Sequence, residues 1–207
     1  MLDTLDYPLN NRRWLKDRFN AIRNLAHESE RLKAIDEIVN WTNPGPGGFY
    51  DDLGNVARQP HLVGGAGFQG DPGSFESPRA GFEEDAVVNE PNEKPEGARR
   101  FSWIDHAESL FDAPLKMRYL GLDPKVRYKI RVVYAGDSPK RKIRLMANDG
   151  IEVHPFIVKE SPFRPVEFDI PSAAVRTGDL NLSWYREPGL GGNGRGCQIA
   201  EVWLIKE

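Results

Sequence analysis

The sequence predicts a mainly β protein: a two-sheet antiparallel β-sandwich of jelly-roll type, preceded by a helical hairpin or one bent helix. Three observations predict it. Residues 101–207 carry about eight short runs in which apolar and polar residues alternate, the mark of strands with one face inward. Turn chemistry separates those runs with no helical pattern between them, which excludes βαβ alternation. Twenty glycines and 16 prolines in 207 residues exceed what a helical bundle tolerates, while the aliphatic and aromatic content argues against disorder. Length allows about one domain and an appendage, divided here as 1–42, 43–100 and 101–207.

Residues 1–42 read as helix. Apolar residues at Trp14, Leu15, Phe19, Ile22 and Leu25, then at Leu32, Ile35, Ile38, Val39 and Trp41, step by three and four and form one stripe. Asn10 or Asn11 can cap the start, and Pro44 closes the end. Between the blocks lies the polar His27-Glu28-Ser29-Glu30, with Ser29 as a cap, so two helices and one bent helix both fit. The stripe is expected to pack on something larger.

Residues 43–100 are a connector. They hold NPGPGG, GGAG, GDPG and PNEKPEG, with eleven of the glycines. They also hold Phe49, Tyr50, Leu53, Leu62, Val63, Phe68, Phe75 and Phe82. A structureless run of that length inside a compact protein is uncommon. The connector is therefore expected to wrap the surface of the β-rich segment, pinned by its aromatics, with short extended pieces at 48–53 and 61–63. Residues 83–97 are its most polar stretch.

In the last segment, strands are expected at 101–106, 151–158 and 198–205, and wherever alternation is explicit. Leu115, Met117 and Tyr119 alternate with Lys116 and Arg118; Tyr128, Ile130, Val132 and Tyr134 with Lys129, Arg131 and Val133. Ile143 and Leu145 alternate with Lys142 and Arg144, Val166, Phe168 and Ile170 with Glu167 and Asp169, and Leu180, Leu182 and Trp184 with Asn181, Ser183 and Tyr185. GLDP, GDSP, NDG, ESPFRP and RTGD supply the turns. Asn148-Asp149-Gly150 is a hairpin signal, because Asp-Gly supplies the positive φ angles of a type I′ turn.

Composition excludes several functions. No apolar run approaches the ~18 residues of a membrane helix, so no membrane partner is expected. A net charge of −3 leaves no footprint for nucleic acid. A single cysteine, Cys197, excludes an internal disulfide and a thiolate metal cluster.

The phrases PLKMRYLGLDPKVRYKIRVVYAGD, PVEFDIPSAAVRTGDLNLSW and IAEVWLIK, with a hairpin after the first, resemble the galactose-binding-like β-sandwich family. Modules of that family accompany bacterial enzymes that degrade polysaccharides. The resemblance covers about half the chain and consists of strand phrases, not a catalytic signature. It implies ligand-carrying loops at one end of the sandwich, a catalytic domain upstream or in trans, and an extracellular or periplasmic location. MLDTLDYPLNNRRWLKDRF lacks the layout of a secretory signal; on this resemblance Met1 begins a piece of a larger protein.

Candidate chemistry falls in three places. Asp51, Asp52 and Asn55 in YDDLGN offer oxygen ligands that suit calcium, and the resemblance adds Glu201 in the closing strand; no other cofactor is expected. The alternative for these residues is an ordinary turn and solvated carboxylates. His27, His61, His106 and His154 lack zinc spacing. Cys197 reads as a buried structural thiol, no G-x-S-x-G is present, and GLGGNGRG lacks the Lys-Ser/Thr of a phosphate loop.

Asp105, His106, Glu108 and Asp112 in WIDHAESLFDAP are the catalytic candidates, since glycoside hydrolysis needs two acids ~5–10 Å apart; the alternative is a solvated strand end and loop. SWYREPGLGGNGRG supplies the ligand-binding candidates Tyr185, Arg186, Asn193 and Arg195, together with Trp184, which alternation points inward. Aromatic faces stack on sugar C–H surfaces, and guanidinium groups bind vicinal hydroxyls or a uronate. The alternative is a packed loop with Arg186 paired to an acid. The expected function is a non-catalytic carbohydrate-binding module binding a polysaccharide or oligosaccharide. The alternatives are a glycosidase or lyase with its acids at 105–112, and a docking domain with no small ligand, which would expose Trp14, Phe19 and Trp41.

Overall fold

In the computed structural model, which describes residues 12–82, 103, 105–136, 141–148, 150–160, 163–189 and 194–207, the alternation of the C-terminal half becomes two antiparallel sheets. Two connector strands, β1 (Phe49–Asp52) and β2 (Arg79–Phe82), precede eight others. These are β3 (Asp105–Leu110), β4 (Leu115–Tyr119), β5 (Tyr128–Tyr134), β6 (Lys142–Ala147), β7 (Ile151–Val158), β8 (Val166–Ile170), β9 (Leu180–Arg186) and β10 (Arg195–Lys206). The larger sheet runs β2-β3-β10-β5-β8, with β1 also paired to β10, and the smaller runs β4-β9-β6-β7. Every consecutive pair from β3 to β10 except β6–β7 thus steps across between the sheets, which is jelly-roll order.

The inward residues of the alternating runs form the core. Met117, Ile130, Leu145, Leu182 and Trp184 are fully buried there, each such side chain contributing roughly 1.5–3 kcal/mol relative to exposure. A register shift between Ile199 and Glu201 against β5 resets the parity of β10. Ile199, Val202 and Leu204 face this core, while Ala200 and Trp203 join a second cluster with Trp103, Val133, Ala135 and Phe163 on the opposite face of the larger sheet.

Two helices lie by that second cluster, α1 (Arg12–Arg23) and α2 (Glu28–Val39). The hairpin reading is therefore the one realised. The ring of Trp41 is 5.1 Å from Trp14, 6.1 Å from Trp103 and 5.8 Å from Trp203. The Trp203 indole N–H donates to the Trp41 carbonyl at 2.7 Å. Residue His27, not Ser29, is the N-cap of α2, and the Glu30 carboxylate accepts the His27 N–H at 3.4 Å. The expected stripe is only partly covered: Trp14 and Ile22 are buried, but α2 buries no residue.

One expectation is corrected, and one strand is additional. The first strand of the sandwich begins at Asp105, not Phe101, so Glu108 stands inside a mostly buried strand, while Asp112 lies in the exposed turn after it. Strand β2 carried no alternation to announce it. The hairpin turn has positive φ at Asn148 (41°) and Gly150 (116°), with Asp149 outside the described residues. The described part of the connector touches both sheets: Asp51 pairs with Val202 in β10, and Leu62 bridges to Met117 in β4. Asn10, Asn11 and residues 83–97 lie outside the described residues.

Candidate functional site

Three of the four catalytic candidates, His106, Glu108 and Asp112, meet the arginines of β9 and β10, while Asp105 stands opposite Phe82 in the β2–β3 register. Gln198 stands opposite Glu108 in the β3–β10 register, which brings β10 side chains onto the His106–Glu108 face. Arg195 donates Nε to Glu108 Oε2 at 2.8 Å, Gln198 donates Nε2 to the same oxygen at 3.1 Å, and Arg195 Nη2 lies 3.1 Å from His106 Nε2. Lys159, buried beneath, donates to Gln198 Oε1 (3.2 Å) and the Ala135 carbonyl (2.7 Å). A Cβ at Gly81 would stand 2.2 Å from His106 Nε2, so only glycine lets β2 cover that histidine.

Arg186 donates through Nε and Nη2 to Asp112 Oδ1, both at 3.0 Å, and through Nη1 to the Arg195 carbonyl at 2.9 Å. Asp112 Oδ2 accepts the Gly189 N–H at 2.9 Å. Arg186 is 3% exposed. It is thus an internal tether at the start of the β9–β10 loop, not the surface group expected from sequence. Asn193 lies outside the described residues.

Electrostatics decide what this network can do. Burial pushes the Glu108 carboxyl up, but hydrogen bonds from His106, Arg195 and Gln198 and the Arg195 charge overcome it and hold it at about 2. The Gly189 N–H, with Arg186, lowers the Asp112 carboxyl. A general acid needs a carboxyl raised toward working pH, and both are moved the other way. The arrangement is an ion-pair scaffold for the loop.

The four calcium candidates do not converge, because adjacent strand residues point to opposite faces. Asp51 Oδ1 meets His61 Nδ1 at 2.7 Å, and its Oδ2 accepts the Tyr119 hydroxyl at 2.8 Å. Asp52 Oδ1 accepts the Gly54 N–H at 3.3 Å, and Asn55 is exposed. Glu201 is fully buried beyond the other face, accepting the Tyr50 hydroxyl and Trp103 indole N–H at 2.7 Å each, and the Trp41 indole N–H at 3.3 Å. Among the described residues no three His, Cys, Asp or Glu side chains form a group that could hold a metal. Burial pushes the Cys197 thiol up to about 12, which leaves no nucleophilic thiolate at neutral pH.

Tyr185 lies elsewhere. Trp184 points into the core and donates its indole N–H to the Tyr134 hydroxyl at 3.2 Å; Tyr185, one residue on, stands on the outer face of the smaller sheet. Its register partner in β6 is Arg144. A register shift in the β6–β7 pair brings Phe156 beside the same arginine. The guanidinium carbon lies 4.9 Å from the Phe156 ring and 5.5 Å from the Tyr185 ring. Ring, guanidinium and ring, all half-buried, form a stack across three neighbouring strands. Sequence reasoning found Tyr185 and missed its companions: alternation marked Arg144 as outward, but nothing local says that β6 lies between β9 and β7.

A cleft of about 740 Å³ also separates the helices from the larger sheet, lined by Trp14, Trp41, Trp103, Phe163, Asn40 and Arg131 among others. Trp14, Trp103 and Phe163 are 6%, 5% and 7% exposed. The rings of Trp14 and Trp103 both pack against Trp41, at 5.1 and 6.1 Å.

No family model matches the chain, and no curated protein matches it in sequence. Among solved structures it is similar to the exo-β-1,3-galactanase of Phanerochaete chrysosporium with galactose, at 11% identity and TM-score 0.37, over 77% of this chain and 30% of that one. It is similar to a family 35 carbohydrate binding module from Clostridium thermocellum at 11% identity and TM-score 0.40, over 75% of this chain and 97% of that one. It is also similar to the plant peptide RALF23 complex with FER and LLG2 at 16% identity and TM-score 0.45, over 76% of this chain and 42% of that one. The chain spans under a third of the galactanase's length.

Proposed function

We propose that the chain is a non-catalytic carbohydrate-binding module working beside a polysaccharide-degrading domain, outside the cytoplasm. The observation that carries this reading is the Tyr185–Arg144–Phe156 stack on the outer face of the smaller sheet. Two half-exposed rings on a flat surface suit the apolar C–H faces of successive sugars, and the guanidinium between them supplies planar donors for their oxygens. The Arg186–Asp112 tether supports it, because Arg186 follows Tyr185 and anchors the strand end on which the ring stands. The lowered Glu108 and Asp112 carboxyls count against the glycosidase alternative.

Affinity electrophoresis through a panel of plant and algal polysaccharides tests the proposal. Wild type should be retarded by at least one polymer, and Tyr185→Ala and Phe156→Ala should each lose that retardation while keeping their circular dichroism. Equal retardation of wild type and both variants, or no retardation on any polymer, overturns it.

A further inference from the structure

We infer that the stack selects acidic polysaccharide, taking the carboxylate of a uronate residue on the Arg144 guanidinium while the sugar ring lies on Tyr185 or Phe156. The inference rests on the carbohydrate-binding reading and narrows its ligand. It starts from the charges on the outer face of the smaller sheet. Lys116 pairs with Glu76 at 2.8 Å, Arg118 with Asp179 at 3.0 Å and Lys142 with Glu187 at 3.3 Å. Arg144 differs. Among the described residues no acid pairs with it; two aromatic rings flank it, and its Nε is buried without an acceptor. Arg144 is thus a cation without an ion-pair partner on that face, as the exposed Glu152 of β7 is an anion without one among the described residues, and the Nη groups are the donors that Arg144 offers to solvent.

That geometry favours one kind of anion. The two flanking rings, 4.9 and 5.5 Å from the guanidinium carbon, restrict the side chain, so it loses less freedom when it meets a ligand as a fork. A planar carboxylate accepts such a fork through two parallel hydrogen bonds. A uronate brings the carboxylate and a ring with an apolar face in one residue, matching both parts of the stack. A neutral sugar would leave the charge unmatched. Nucleic acid requires several phosphate contacts along a basic stripe, and a single unpaired guanidinium on a chain of net charge −3 does not supply them.

Affinity electrophoresis of the full chain in polygalacturonate, in the same polymer after carboxyl reduction, and in a sulfated galactan tests this, with Arg144→Gln, Arg144→Lys and Tyr185→Ala alongside wild type. Wild type should bind polygalacturonate about tenfold or more tighter than its reduced form, as a charge-assisted hydrogen bond implies, and added salt should shrink the difference. Arg144→Gln should abolish the preference, Arg144→Lys should keep part of it, and Tyr185→Ala should weaken binding to both polymers. Equal wild-type affinity for the two forms overturns the carboxylate assignment while carbohydrate binding stands, and so does binding confined to the sulfated polymer. Absence of binding to all three removes both readings. Carboxyl reduction changes only the ligand, so the result holds even where a variant disturbs the stack.

Discussion

Glu108 and Arg195 show how a buried ion pair can tie a loop to a sheet. The carboxyl is held at about 2 against an ordinary 4.5, because three hydrogen-bond partners outweigh the cost of its burial. A carboxyl lowered on folding adds stability that is complete above its unfolded value and is lost as pH falls through the folded one. The gap corresponds to about 3 kcal/mol. Urea midpoints followed from pH 6 down to pH 2 should therefore fall more steeply for wild type than for Glu108→Gln; parallel curves would remove the role given to this pair. Arg195→Ala should cost ~3–5 kcal/mol at neutral pH, since it strands a buried carboxylate. Gln198→Ala, which removes a neutral donor, should cost about 1 kcal/mol. Cys197, fully buried with its thiol pushed up to about 12, should react with a thiol reagent only as fast as the protein unfolds. Labelling at the rate of a free thiol in native buffer would contradict its burial.

At the scale of elements, β10 carries the molecule's main decision. Its shift between Ile199 and Glu201 sends Val202 and Leu204 into the sandwich core and Glu201 and Trp203 to the face beside the helices. A one-residue change of register exchanges the two faces of a strand. Ala200 is the extra residue of that shift, so deleting it leaves plain alternation, with Ile199 in, Glu201 out and Val202 in, and should still yield folded protein, whereas deleting Trp203 should turn Leu204 outward and leave little soluble folded protein. The helical hairpin is held differently. Its second helix buries nothing, with Leu32 55% and Val39 74% exposed, so Trp14 and Trp41 fasten it to the sheet. Trp41→Ala should let a protease cut the link between the helices many times faster while the sandwich keeps its near-ultraviolet signature. Unchanged cleavage would mean that the hairpin has another anchor.

Across the whole molecule, stability is expected to grade outward from β10, which is hydrogen-bonded on both sides and buried along most of its length. Native-state hydrogen exchange should be slowest in β10, β5 and β9 and fastest in α2. An even pattern would show that hairpin and sandwich open together. Of the three residues whose exposure would favour the docking alternative, Trp14 is buried, Trp41 packs on Trp14 and Trp203, and Phe19 is 43% exposed.

Period-two alternation, turn residues and the apolar steps of the first 42 residues were enough to place most of the elements, because these signals depend only on neighbours along the chain. Met117, Leu145 and Trp184 were legible as core for that reason, and Tyr185 as outward. The start of β3 was not, since 101–106 and 105–110 are both plausible strands until β10 supplies a register. Asp112 and Arg186 appeared as two separate sites, and only folding made them one pair. The platform shows the same limit. Arg144 and Tyr185 lie 41 positions apart in the sequence, and β6 lies between β9 and β7 only because jelly-roll winding returns the chain there. Local pattern decides which way a side chain faces; the order of strands decides what it meets.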